Sequence, residues 1–468
     1  MKANDDRPLA EIAAGLRDGT IAARDLIERA IANYARTGES LGAYKIWDSA
    51  AGRKAAELAD RAFAAHYDLG PLQGIPVSVK DLFGLTGWPI FAGSPTRLPT
   101  KWERDGRLVQ TLRRQLAVVA GKTHTVEFAY GAVGVNPHWE TPINPWGADA
   151  PRVPGGSSSG AGVSLATGTA FVALGTDTAG SVRIPASMTG TVGLKTTFGR
   201  WPTDGVLPIS PSLDTTGILT RTVADAAYAF RALDPMHVNN ASPAAGTQPA
   251  DPAYLRIGVP EGAIWDGCSP GIAEGVRTAL DEFSRAGARL VPFAFPEFDR
   301  IAPMFLKGGL TPPEFYEFLS AELPDWLPKL DPVIRQRMND AVNLPAHEYL
   351  ARKRVIREAA ASIDARLGTI DVVAFPSVVV TPPAIDAMSK VENYRPAHLG
   401  AARNNAFASY LGLCAISMPV ALDAAAMPVG LQLMARGHHE DALLGAALAA
   451  EKILGTARQR LGVPPRGI

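Results

Sequence analysis

Ten of this chain's 45 glycines fall within 46 of its 468 positions, residues 154–199, and serine and threonine crowd the same stretch. Such a run is either a flexible linker or a place where the backbone must turn tightly and repeatedly. The linker reading fails on the intervening residues. Apolar runs at 163–166, 170–174 and 182–184 alternate with the turns, and a linker has no use for them. The stretch is therefore expected to fold into the interior, with main chain doing what side chains do elsewhere.

The rest of the chain reads as α/β. Residues 23–36 carry Leu26, Ile27, Ala30, Ile31 and Tyr34 at helical spacing, with Gly38 as a stop. Residues 75–79 and 118–120 read as buried strands, and 164–174 as an apolar segment long enough for a helix. A composition break falls at 234–252, followed by a strand, helix and strand at 255–259, 271–286 and 289–292. Residues 300–365 read as mostly helical and rich in aromatics, 370–375 as a strand, 415–421 and 429–434 as two strands joined by a turn, and 440–454 as a closing helix. Strands alternating with helices argue for a largely buried sheet.

Composition excludes more than it identifies. Lys and Arg number 46 against 46 Asp and Glu, so there is no electrostatic footprint for nucleic acid or an anionic membrane. The first seven residues are polar and lead into no apolar stretch, so neither a signal peptide nor a membrane span is expected. Cys268 and Cys414 are isolated and read as reduced, buried thiols in a cytoplasmic protein. The eight histidines form no HExxH pattern, and no metal site is expected.

Generic catalytic motifs fit poorly. Gly156–Gly160 spells G-x-S-x-G, but Ala150-Pro151-Arg152-Val153-Pro154 before it is poor strand material for a nucleophile elbow. Gly121-Lys122-Thr123 resembles the end of a phosphate-binding loop, yet Leu116 stands where its first glycine is required. What remains is a set of serines in need of a base. Lys80 ends the apolar run 75–79, so its stem should be buried; it is either a base or the ion-pair partner of Asp81. To act near neutral pH a lysine must titrate ~2–3 units below its usual ~10.4, about 3–4 kcal/mol of differential interaction.

Together these residues resemble the amidase signature family. Gly74-Ile75-Pro76-Val77-Ser78-Val79-Lys80-Asp81 is similar to its lysine strand, and Pro154-Gly155-Gly156-Ser157-Ser158-Ser159-Gly160 to its Gly/Ser motif. The run from Gly175 to Ala186 is similar to its nucleophile segment, and Met427-Pro428-Val429-Gly430-Leu431-Gln432-Leu433 to its closing strand. The order of the motifs, with 24 positions from Ser157 to Ser181, makes the resemblance specific. It implies a central mixed, twisted sheet with helices on both faces, an α/β/α sandwich. It also implies one domain over 1–468: an N-terminal helical region (1–65), a catalytic core (66–234), a variable, largely helical substrate side (235–370) and a return to the sheet (371–468).

The resemblance further implies a Ser–cis-Ser–Lys triad: Ser181 as nucleophile, Ser157 as the bridge after a cis peptide bond, and Lys80 as base. The turn Thr178-Ala179-Gly180 is expected to supply an oxyanion hole, where one lost donor typically costs ~3–4 kcal/mol. Asp177 and Arg183 are expected to hold that turn. Tyr130, Ile184 and the aromatic segment 305–326 are candidates for lining a substrate pocket. His124, Cys414 and Ala408-Ser409 depart from the family's usual residues.

The implied activity is hydrolysis of the C–N bond of a small neutral amide, aryl or alkyl, through an acyl-enzyme. No cofactor and no macromolecular partner are expected, and a homodimer is compatible with the reading. The same triad would serve a carbamate- or urea-type hydrolase, or the amidase subunit of a tRNA-dependent amidotransferase.

Overall fold

The structure, a computed structural model, describes residues 7–237, 247–339 and 342–467. The polar N-terminal lead and part of the composition break at 234–252 lie outside the described residues. In chain order the strands are β1 (Tyr44–Trp47), β2 (Pro76–Lys80), β3 (Val118–Thr123), β4 (Val172–Asp177), β5 (Val192–Lys195), β6 (Thr215–Thr220), β7 (Arg256–Pro260), β8 (Arg289–Phe293), β9 (Val372–Pro376), β10 (Cys414–Leu422) and β11 (Pro428–Ala435). They form one sheet in the order β1-β3-β2-β4-β6-β5-β10-β11-β9-β7-β8. It is mixed: β3-β2-β4 and β9-β7-β8 run parallel, and the other pairings are antiparallel.

Every residue of β2, β4, β5, β6, β9 and β11 is buried. Successive side chains of a strand point to opposite faces, so total burial means that both faces are covered. This is the layered α/β architecture expected. The sequence at β7 and β8 explains their pairing: a helix at Ile272–Arg285 carries Ile272, Val276, Ala279, Leu280 and Phe283 on one buried stripe and returns the chain for a parallel strand. Among the described residues no helix is long and apolar enough to cross a membrane.

Two local expectations change. The segment 164–174 is not one helix: a helix covers Ser159–Ala166, Gly168 turns at φ +61°, and β4 begins at Val172. Small apolar residues suit a buried strand as well as a buried helix, and the glycine decides where one yields to the other. Cys414 is buried as expected, but Cys268 is only partly so.

Candidate active site

The parallel pairing of β2 with β4 sets the end of the lysine strand beside the start of the nucleophile segment, with Val79 opposite Leu174. Lys80 is fully buried at the end of β2. Its Nζ lies 2.8 Å from Ser157 Oγ and 2.8 Å from Thr176 Oγ1 across on β4. Burial drives the Lys80 pKa well below the ordinary lysine value, against the pull of Asp177 and Asp214. Asp81 does not pair with Lys80. Its carboxylate is 2.7 Å from Lys122 Nζ, both side chains being fully buried. Successive strand residues face opposite ways, so Asp81 turns from Lys80 and meets the lysine of the false phosphate-loop pattern on β3.

The peptide bond Gly156–Ser157 is cis. The Ser157 carbonyl accepts from the Val126 N–H and the Thr125 hydroxyl, both at 3.1 Å. The Ser158 N–H donates to the Ser181 carbonyl at 3.3 Å, which sets the two serine-bearing loops side by side. Gly160 opens the helix where a Cβ would meet the Ala43 carbonyl at 2.0 Å, so no larger residue fits. His124 packs under this helix, its Nδ1 3.4 Å from Ser159 Oγ; burial pushes its pKa down to about 3, so it is neutral.

Asp177 ends β4, and its carboxylate organises the turn that follows. Oδ1 accepts from the Gly180 N–H at 2.7 Å and Oδ2 from the Val182 N–H at 3.2 Å. Arg183 donates to both oxygens, at 2.8 and 3.0 Å, and neither side chain is exposed. Arg183 Nη1 also donates to Gln432 Oε1 on β11 at 2.6 Å. Gly180 has φ +120°, and a Cβ there would meet Asn405 Cβ at 2.4 Å. One of the three N–H groups expected as oxyanion donors is already engaged. The Gly180 N–H is committed to Asp177, whereas among the described residues the N–H groups of Thr178, Ala179 and Ser181 make no hydrogen bond. The Thr178 hydroxyl is held by Asp214 at 2.6 Å, and burial raises the Asp214 pKa to about 6.

Ser181 lines a cavity of about 280 Å³, together with Thr178 and Ala179 on one side and Tyr130 and Ile184 on others. Phe128 and Ala129 hold positive φ values of 46° and 59°, turning the chain so that 129–132 forms one wall. The aromatic segment 305–326 contributes less than expected. Phe305 reaches the cavity, but Phe315, Phe318 and Trp326 belong to a separate apolar cluster that also holds Tyr130.

Sequence reading missed three participants. Thr176 holds Lys80; Gln432 and Ser409 close the Arg183–Asp177 pair, the latter with its hydroxyl 3.4 Å from both. Gln432 lies within the closing-strand motif, and a polar residue inside a buried strand pattern was the available signal. Among the described residues no three His, Cys, Asp or Glu side chains converge to hold a metal ion.

The family model described as Amidase matches residues 25–444. The chain is 48% identical over 456 residues to 2-amino-5-chloromuconic acid deaminase of Comamonas testosteroni, covering 97% of this chain and 98% of that one. It is 31% identical over 476 residues to indoleacetamide hydrolase of Pseudomonas savastanoi, covering 97% of this chain and 98% of that one. A solved structure described as a crystal structure of amidase superposes with a TM-score of 0.82 at 27% identity, over 96% of this chain and all of that one.

Proposed function

Because this chain belongs to the amidase family, hydrolases of carbon–nitrogen bonds, we propose that it cleaves a small carboxamide by a Ser181–Ser157–Lys80 relay. The observation that carries the reading is the fully buried Lys80 amine, 2.8 Å from Ser157 Oγ and held well below its usual pKa. A neutral amine can accept the Ser157 proton while donating its own N–H to Thr176. Ser157 in turn accepts the Ser181 proton as Ser181 Oγ attacks the amide carbon.

The carbonyl oxygen then carries the charge, and the free N–H groups of Thr178, Ala179 and Ser181 are the donors available to it. As the tetrahedral species collapses, the C–N bond breaks and the leaving nitrogen takes the proton back through Ser157. Water attacks the resulting acyl-enzyme by the same relay, releasing carboxylate and restoring Ser181. In this reading the reaction runs in the cytoplasm on a freely diffusing substrate, with protein groups and water alone.

A fluorophosphonate probe should label Ser181, and both Ser181→Ala and Lys80→Ala should abolish labelling and ammonia release while folding normally. Retained turnover in either variant overturns the relay. The relative at 48% identity favours a second reading, loss of ammonia from an amino-substituted unsaturated acid at the same serine. Measuring ammonia release from a simple carboxamide and from an aminomuconic acid, side by side, separates the two.

A further inference from the structure

The whole chain is charge-balanced, but the cavity in front of Ser181 is not. Its lining includes Lys307, Arg337 and Arg395 and not one aspartate or glutamate. Among the described residues none of these three cations forms an ion pair. The nearby acid Asp331 spends its Oδ1 capping the helix Pro332–Asn339, accepting from the Val333 and Ile334 N–H groups. Lys307 and Arg395 are exposed and Arg337 is partly buried.

Arg337 is fixed in place. Its Nη1 donates to the Tyr130 carbonyl at 2.8 Å, and its guanidinium lies 4.3 Å from the Tyr130 ring centre. Its Nη2 is 3.0 Å from His398 Nε2. That contact competes with a second one for the acceptor of the same ring. His398 Nδ1 faces the Ala132 N–H at 3.2 Å, and a backbone N–H can only donate. The ring is neutral, since burial first and the Arg337 charge second hold its pKa well below normal. A neutral ring has one acceptor nitrogen, and a guanidinium N–H, like a backbone N–H, can only donate, so the ring accepts from Ala132 or from Arg337 but not from both. One donor is thus left facing a ring N–H on the wall of the cavity that holds Ser181; with the proton on Nε2, Arg337 Nη2 and His398 Nε2 are two donors 3.0 Å apart.

Resting on the amidase reading, we propose that Arg337 and His398 bind a carboxylate of the substrate, so that the amide hydrolysed here is that of a monoamidated dicarboxylic acid. With the ring proton on Nε2, a carboxylate oxygen accepts from both groups at once, and the planar guanidinium suits its geometry. Lys307 and Arg395 at the exposed side draw the anion in. The pair is a binding and specificity device; the chemistry stays at Ser181.

The test compares matched amides, succinamate, glutaramate and adipamate against butyramide, valeramide and hexanamide, by ammonia release from the full chain. At the best chain length the acid should exceed its neutral partner in kcat/KM by about 30-fold or more. In Arg337→Gln that ratio should fall by about 10-fold or more, and Arg337→Lys, which keeps the charge but not the fork, should restore part of it. A merely structural arginine would lower both activities and leave the ratio alone. Equal or better hydrolysis of the neutral amides at every length overturns the proposal, as does a ratio that Arg337→Gln leaves unchanged.

Calorimetry on Ser181→Ala reads the subsite without turnover. Adipamate or glutaramate should bind it, and adding Arg337→Gln should weaken Kd by about 10-fold or more. Binding without hydrolysis of any amide by the unaltered chain would sink the amidase reading and keep the carboxylate site; no binding of either acid would sink the site.

Discussion

Thr176 offers a direct measure of how Lys80 is poised. Its hydroxyl is the second partner of Lys80 Nζ, at 2.8 Å, in a place where Lys80 meets no solvent. Thr176→Val replaces that oxygen by a methyl group of the same shape and opens no cavity. A hydrogen bond to a charged group is worth about 1.5–3 kcal/mol against about 0.5–1.5 for a neutral one. Removing the oxygen thus costs the ammonium form about 1 kcal/mol more than the amine. That is about 0.7 of a pH unit, and its sign is downward. In the proposed relay Lys80 works as the neutral amine, so the rate climbs with pH through its pKa; the rising limb should move about 0.7 unit to lower pH in the variant. The assay is the second-order rate of Ser181 labelling by a fluorophosphonate between pH 5 and 9.5, which needs no natural substrate. Thr176→Ser should stay near the unaltered profile. A limb that moves upward, or a serine variant that moves as far as the valine one, refutes the reasoning.

Two further outcomes follow from buried charges. Asp177→Asn leaves Arg183 buried without its counter-charge, which should cost about 3–5 kcal/mol of stability, read by denaturant unfolding, and leaves either the Gly180 or the Val182 N–H facing an amide NH2 instead of an acceptor. Glu127 is buried and its pKa is raised to about 8. The folded state then keeps a proton that the unfolded chain gives up near pH 4.5, so this stability is complete below that pH and lost as pH climbs to about 8. Glu127→Gln should therefore flatten the fall in Tm between pH 5 and 8.5; an unchanged slope excludes Glu127 as its source.

Strands and helices at 75–79, 118–120, 255–292, 370–375, 415–434 and 440–454 were legible because period and length agreed there, as in the parallel unit built on Ile272, Val276 and Phe283, whereas the helix Val391–Tyr410, which carries His398, was missed. The segment 164–174 misled because small apolar residues fit either element. Lys80, Ser157 and Ser181 are marked by motif, and the structure brings their loops together. What the sequence hid was pairing. Nothing local says that Asp81 meets Lys122, or that Asp177 consumes the Gly180 N–H, because both depend on which neighbour a strand acquires. The cationic wall was hidden for the same reason. Arg337 and His398 lie 61 residues apart and meet only on the folded cavity wall.

The bond from Arg183 to Gln432 spans 249 positions, and β10 and β11 sit in the middle of the sheet rather than at its edge. During synthesis Lys80, Ser157 and Ser181 all leave the ribosome long before the strands that finish their support. At about 5–20 residues per second, some 12–50 seconds separate Arg183 from Gln432. The nascent chain thus carries an unbraced turn before Ser181 throughout that interval, and on the proposed relay a product truncated before Gln432 should be inert rather than a loose hydrolase.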